Sequence, residues 1–407
     1  MKIAIFCSSF PNLSETFIIN QVIGLLKLGI NVDVITNDIP NDEIMHSSIE
    51  EYSLMERIKF FGLGARKSKI HKLTLTIFNL LYLIVKGKYT DVFDVVLDPC
   101  LTSSQKMNLI SALTNWNNVH YDHVICHFGT NGYYICKMRD LGLITGPIST
   151  VFHGFEMSRY EEVKRFLPSY KQLFLKGDLM LPISDLWKKK LIDWGCDVGK
   201  VKVHRMGIDI NEYKLKPTGK SFSLPLNVVQ VGRLTEKKAI LDSISAVVKI
   251  AKKHPINFTV IGDGELFSSS KELVTKLNAT GYIHLLGRQP QEVVRGYLEE
   301  ADVCLLPSVR AQDGDMEGIP VSLMESMAKG NITVSTYHSG IPELIEHRNS
   351  GYLVPESNVD ELADCLAEIL ATPHKEIELI RNNARAVCVE KYNNDILNLQ
   401  LSKYFNP

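Results

Sequence analysis

Short β-branched apolar runs alternate with helix-length stretches along this chain, and the alternation starts afresh halfway. The first half carries KIAIFC (2–7), NVDVIT (31–36), HVICHF (123–128), STVFH (149–153), LMLPIS (179–184) and VKVHRM (201–206). A loop, KLKPTGKSFSL (214–224), then intervenes, and the second half carries LNVVQVG (226–232), NFTVIG (257–262), YIHLLG (282–287), DVCLLP (302–307) and NITVST (331–336). Helical patterns fill the intervals at 16–28, 236–253, 290–300, 320–329 and 359–371. Strands that alternate with helices pair in parallel and are covered on both faces. The length of 407 residues exceeds one ordinary core. The expected fold is therefore α/β, with two doubly wound Rossmann-like domains facing each other across a cleft, 1–212 and 213–389. In open parallel sheets, ligands bind beyond the carboxyl ends of the strands.

A formal net charge of -1 supplies no field for nucleic acid, so none is expected as a partner. Of the eight cysteines none forms a C-x-x-C pair, and several sit in apolar runs. They read as reduced core residues of a cytosolic protein, not as disulfides or a zinc site. The opening MKIAIFCSSFPN reads as a strand and turn, without a signal peptide. The most apolar stretch, His71 to Val85, follows basic Arg66, Lys67, Lys69 and Lys72 and contains Asn79. It is too short to span a bilayer. It reads first as a buried helix with a solvated basic lead-in, and second as an interfacial helix resting on an anionic membrane. The expected location is cytoplasmic, with the inner face of the plasma membrane as the place of any such peripheral contact.

Polar residues gather after the second-half strands. VVQVGRLTEKK sets Gly232, Arg233, Lys237 and Lys238 at a strand end, where an arginine fork and a lysine suit a diphosphate. Gly262-Asp263-Gly264 follows the next strand, and Gly287-Arg288 the one after. The densest segment is VRAQDGDMEGIPVSLMESMAKG (309–330). Its helix begins near Pro320, and amides of Gly318, Ile319, Val321 and Ser322 form an anion site. Glu325, eight positions after Glu317, is placed to accept hydrogen bonds from ribose hydroxyls. Asp313-Gly314-Asp315 is read as loop acidity, with no metal expected. In the first half, SSFPNLSETF (8–17) feeds a helix that Ser14 is suited to cap. His127 and His153 close two strands that face the cleft.

Taken in order, VGRLTEKK, VIGDGE, LLGR, the Glu317-x7-Glu325 pair and GIPELIEHRNSGYLVP resemble the retaining GT-B glycosyltransferases of family 4. FPNLSETFI, HFGTNG and HRMGID look closest to exopolysaccharide enzymes of the colanic acid and amylovoran type. The resemblance implies hexose transfer from a nucleotide-sugar donor, UDP favoured, to a glycan or lipid-linked acceptor. It implies that Arg233 and Lys238 hold the donor diphosphate and stabilise it as it leaves. Glu325 would bind ribose, Glu317 the donor sugar, and the amides from Gly318 onward phosphate. His153 would lie by the donor sugar, and the loop of Ser14 and Glu15 would line the donor or acceptor pocket. Base contacts would fall near Gly262 and Gly287. A C-terminal helix, 390–407, would complete the first domain. Two positions depart from the family pattern: Ala239 stands where glycine is usual, and Glu156 where aspartate is usual.

The alternatives are a nucleotide-sugar epimerase, a phosphorylase needing pyridoxal phosphate, and a noncatalytic binding subunit of a polysaccharide-assembly complex. The Glu317/Glu325 pair together with VGRL argues against the first two, and the retained Arg233 and Lys238 against the third. A nicotinamide oxidoreductase lacks its G-x-G-x-x-G. A departing nucleoside diphosphate needs its charge stabilised, and fixed cations with helix amides supply that without a cofactor or metal.

Overall fold

The computed structural model describes residues 1–12, 15–40, 47–63, 68–116, 118–217, 222 and 224–405. Ser14, Arg66, Lys67 and part of the 214–224 loop lie outside them. The first half forms strands β1 (Lys2–Ser9), β2 (Asn31–Asp38), β3 (Ile58–Phe60), β4 (Val119–His120), β5 (His123–His127), β6 (Ile144–Thr145), β7 (Ile148–Phe152) and β8 (Leu179–Pro182). The second forms β9 (Leu226–Val231), β10 (Ile256–Ile261), β11 (Ile283–Leu285), β12 (Val303–Leu305), β13 (Ile332–Thr336) and β14 (Tyr352–Val354).

The two large sheets run β3-β2-β1-β5-β7-β8 and β11-β10-β9-β12-β13-β14. Ranked by sequence, each is the doubly wound order 3-2-1-4-5-6, and all their pairings are parallel. The chain reverses direction across the sheet between β1 and β5, and again between β9 and β12. These are the switch points at which open sheets leave a crevice. The central strands are buried on both faces, which is why they read as unbroken apolar runs rather than alternating ones. β4 and β6 pair apart from both sheets.

Three expectations fail locally. The 201–206 run is not a strand: Val201 makes one bridge to Met180, and Lys202 and His204 donate to Met180 and Pro182 before the chain leaves for the second domain. β3 and β14 have only three residues each, too few to show a period. The helix Lys69–Val85 is not buried on its apolar face: Phe78 and Leu81 stand exposed, while Leu83 turns inward.

Met206 belongs to the core of the first half, whereas Ile208, Ile210 and Tyr213 pack with the second. The chain crosses back close by. The Ile208 N–H donates to the Tyr392 carbonyl (2.9 Å) and the Asn394 N–H to the Ile208 carbonyl (3.0 Å). Arg385 then ties the Ile210, Tyr213 and Ala328 carbonyls together. Beyond the crossing, the helix Asn394–Ser402 returns to the first half and packs on Thr16–Lys27. Leu401 and Phe405 are buried in the first core, with Phe405 4.7 Å from the His123 ring.

All three tryptophans, Trp116, Trp187 and Trp194, lie in the first half, so their fluorescence reports its unfolding. Leu401→Ala removes a fully buried side chain and costs about 2–5 kcal/mol. The tryptophan-monitored denaturant midpoint is expected to fall, although the substitution is more than 200 residues from any tryptophan in sequence.

Candidate active site

The carboxyl ends of both sheets meet where glycine faces glycine. A methyl group on Gly154 would lie 3.0 Å from the Gly318 nitrogen, and one on Gly318 would lie 2.5 Å from Ile183 Cδ1. Around this contact the Met316 N–H donates to Ser158 Oγ (3.0 Å) and the Tyr160 N–H to the Asp313 carbonyl (2.9 Å), while Arg159 Nε pairs with Asp313 (2.6 Å). His153 from the first domain is thereby set beside Glu317 and Gly318 from the second.

Glu317 is buried. Its Oε1 lies 3.1 Å from Lys238 Nζ and 3.8 Å from Lys237 Nζ, and Lys237 also reaches Asp315 at 3.1 Å. Burial pushes the Glu317 carboxyl up, but the two lysines outweigh it and hold it below its ordinary range. The carboxylate therefore stays ionised. Its backbone is fixed from β13: the Glu317 N–H donates to His338 Nε2 (3.1 Å), and Ser339 Oγ donates to the Glu317 carbonyl (2.6 Å). His338 Nδ1 in turn donates to Glu356 (2.7 Å).

The helix Val321–Lys329 starts immediately after. Among the described residues, the N–H groups of Gly318, Ile319, Val321 and Ser322 have no hydrogen-bond acceptor. They form the free-amide end expected of a helix start. Arg233 is exposed at the end of β9 and has no ion-pair partner among the described residues; Arg288 is likewise exposed past β11. Gly232 lies under Lys238, whose Cε would be 3.4 Å from an added Cβ. The strand ends are stitched together by the Gly232 N–H to the Ile261 carbonyl (3.0 Å) and the Gly262 N–H to the Gly287 carbonyl (2.9 Å). Gly262 has no alternative residue, since a Cβ there would sit 1.9 Å from the Gly232 oxygen.

Glu325 is half-buried one face along the same helix. Its Oε1 accepts from Tyr213 Oη (2.7 Å) and Gln291 Nε2 (3.1 Å). Burial lifts its carboxyl to about 7, against the pull of those donors and of Arg295. Nothing near Glu325 in sequence announces Tyr213. The pair is made by the crossing segment.

In the first domain, Gln21 Oε1 accepts from His127 Nε2 (2.9 Å), so His127 Nδ1 is left to accept from His153 Nε2 (3.1 Å). Burial depresses both rings, His153 to about 3 and His127 far below its ordinary value, and His204 adds to the effect on each. Both are neutral imidazoles, and His153 keeps an unprotonated Nδ1. Phe17 and Phe128 cover the His153 ring at 4.7 and 4.6 Å. Glu156, the departure from aspartate, accepts the His153 and Gly154 N–H groups (2.7 and 3.1 Å) and so shapes this turn. Glu15 is half-buried at the start of Thr16–Lys27, its carboxyl raised by burial; Ser14 lies outside the described residues. Asp313 and Asp315 are taken up by Arg159 and Lys237.

Thus Lys238, Glu317, Gly318 and His153 converge, with Arg233 at the rim. His338, Ser339, Tyr213, Gln291 and Gln21 were not foreseen. Only His338 and Ser339 carried a signal, being polar residues just after a strand.

The second departure, Ala239, has φ 48 and ψ 42 and caps the helix Ile240–Ala251 in the left-handed region. That conformation costs a non-glycine residue about 1–2 kcal/mol, and glycine loses about 0.4–1 kcal/mol in partial offset through a freer unfolded chain. Ala239→Gly is expected to keep the thermal midpoint within a few degrees. Ala239→Val, β-branched and buried at positive φ, is expected to lower it clearly in the same melting experiment.

Comparison with known proteins accords with this geometry. Residues 217–387 match the family of glycosyl transferases group 1. The chain is 35% identical to WcaL of Salmonella typhimurium, a glycosyltransferase named for colanic acid biosynthesis, over 99% of this chain and 98% of that one. It is also 35% identical to the amylovoran biosynthesis glycosyltransferase AmsK of Erwinia amylovora, again over 99% and 98%. The crystal structure of Anabaena HepE in complex with UDP and glucose superposes with a TM-score of 0.71 at 16% identity, over 99% of both chains, which speaks to the GT-B fold. With full-length relatives at this identity, and the family match over residues 217–387, the chain belongs to the group 1 glycosyltransferases.

Proposed function

We propose that this chain transfers a hexose from a UDP-sugar to a hydroxyl of a glycan or lipid-linked oligosaccharide, with retention at the anomeric carbon, in the assembly of a bacterial exopolysaccharide. The observation that carries the reading is the convergence of Lys238, Glu317 and the free amides of Gly318 to Ser322 beside His153. In this reading Lys238, Arg233 and the amides receive the donor diphosphate and meet the charge that develops as it departs, so no metal or other cofactor is required. Glu317, kept ionised by its lysines, accepts hydrogen bonds from donor-sugar hydroxyls. Glu325 does the same for ribose, and backbone at Gly262, Gly287 and Arg288 borders the base. Neutral His153 contributes an acceptor next to the sugar, and the Glu15 loop borders the pocket from the first domain.

The two relatives named for polysaccharide biosynthesis support the product class, and the UDP-bound neighbour supports the nucleotide. Retention rests on the likeness of the ordered motifs to family 4. We further take the two units as 1–212 with 390–407, and 213–389, joined at the paired crossing of Ile208 with Tyr392 and Asn394.

The direct test is donor hydrolysis and binding across UDP-, GDP- and ADP-sugars. UDP-sugars are expected to be used selectively. Lys238→Ala and Glu317→Ala are each expected to lower kcat by about 10²–10³ while circular dichroism stays unchanged. If folded wild-type protein binds no nucleotide sugar at all, the catalytic reading fails and a noncatalytic assembly subunit takes its place.

Glu325 gives a pH signature. Its carboxyl titrates at about 7 in the free protein, and hydroxyl donors favour the ionised form. UDP-sugar affinity is therefore expected to strengthen as pH rises through about 7, with proton release on binding. Calorimetry in buffers of different ionisation enthalpy should find that release in wild type and lose it in Glu325→Gln.

A further inference from the structure

The helix Lys69–Val85 is amphipathic with its sides reversed. Toward the protein it turns Leu80 and Leu83, together with the half-buried Asn79 and the buried Thr76. Toward solvent it presents Ile70 (80% exposed), Phe78 (67%), Leu81 (61%) and Val85 (85%). The next helix, Tyr89–Val96, extends the same kind of surface with Phe93 and, just past its end, Leu97. The Thr74 hydroxyl on the outer side is already satisfied, because its Oγ1 donates to the Ile70 carbonyl within the helix (3.0 Å). A continuous exposed apolar face of this kind marks an interaction site.

Charge identifies the partner. From Ile58 to Thr90 the sequence contains seven Lys and Arg residues and no Asp or Glu. Lys59, Lys86 and Lys88 are exposed at the borders, and Lys86 lies over the Tyr82 ring (5.7 Å). Of the acids that follow, Asp91 lies 4.0 Å from Lys88 in a half-exposed pair, while Lys137 draws off Asp94 (2.8 Å) and Asp98 (3.1 Å). An apolar face rimmed by cations fits lipid acyl chains beneath anionic headgroups. A second copy of the chain would bring the same cations against each other.

Position supports this occupant. Phe61 to Leu63 leave the carboxyl end of β3, the end of the sheet at which β5 and β7 deliver His127 and His153. The helix thus starts on the cleft side of the first domain. We propose that the outer face of residues 69–97 docks in the plane of an anionic bilayer and brings the cleft to its surface. No helix among the described residues is long and apolar enough to cross the membrane, so this attachment is interfacial and reversible.

The experiment is co-sedimentation of the full chain with vesicles of phosphatidylcholine alone and of phosphatidylcholine with phosphatidylglycerol. Binding is expected only to the second kind and should weaken as salt is raised. Phe78→Asp with Leu81→Asp, and separately Lys86→Glu with Lys88→Glu, should each weaken it about tenfold or more. Circular dichroism and donor hydrolysis should stay unchanged, because these side chains are exposed and none is among the residues that build the cleft. Wild-type protein left in the supernatant with anionic vesicles overturns the proposal. So does undiminished binding by Phe78→Asp with Leu81→Asp. A lipid-free dimer in sedimentation velocity that this same variant makes monomeric also overturns it, in favour of a second copy on the face.

Discussion

The two domains touch through backbone, at Gly154 and Gly318, and the geometry of the cleft depends on that absence of side chains. One methyl on either residue would enter occupied space, against the Gly318 nitrogen in one case and Ile183 in the other. The approach sets the His153 carbonyl against Gly318 and the backbone of Met316 and Glu317 against Gly154. The surrounding ties are of a weaker kind. Arg159–Asp313 is half in solvent, and such pairs are worth about 0–1 kcal/mol. Arg205 bridges Asp185 and Glu343 on the other flank, where Glu343 also accepts the Asp185 and Leu186 N–H groups. These contacts select an orientation without locking it, as expected where ligands enter and leave between domains.

Within that frame, two glutamates eight residues apart are driven in opposite directions. Both are withdrawn from water, and burial alone raises both. Glu317 has two ammonium groups within 4 Å, while Glu325 has a phenol, an amide and a more distant guanidinium. Full charges outweigh burial and neutral donors do not, so one carboxyl is ionised and the other is poised near neutrality. Environments that separate like groups in this way assign them different work. The neighbouring imidazoles are separated from the carboxylates by the same logic. The ladder from Gln21 through His127 to His153 fixes one tautomer, and burial keeps both rings uncharged.

The chain crosses between domains twice, and the crossings are hydrogen-bonded to each other. Gly207 lies so close to Tyr392 that a Cβ would meet its carbonyl at 2.5 Å. The segments on either side belong to different cores, Met206 and Leu401 to the first, Ile208 and Tyr392 to the second. A rotation between domains therefore acts on both crossings at once. Because Tyr213 stands just beyond the crossing and donates to Glu325, that carboxyl is tied to the crossing segment through a single hydrogen bond.

The doubly wound architecture was legible because the central strands of both sheets are largely buried on both faces and show as apolar runs whatever their neighbours. Gly232 and Arg233 stand directly after β9, where glycine and charge are legible as local properties, whereas Glu317 and Glu325 were read from the dense polar segment 309–330. What failed was every feature that depends on what lies opposite. β3 and β14 owe their strand character to a partner edge, with too few residues to advertise it. Tyr213 reaches Glu325 across 112 positions. Gln21 becomes a partner of His127 only once the helix Thr16–Lys27 is laid over the sheet. The helix Lys69–Val85 is the sharpest case. Its periodicity correctly announced an amphipathic helix, yet hydropathy has no sign for inside and outside. Length argued against a membrane span, and burial was the ordinary inference. The charge pattern bears on that choice: a run from Ile58 to Thr90 with seven Lys and Arg residues and no acid suits an anionic surface rather than a core.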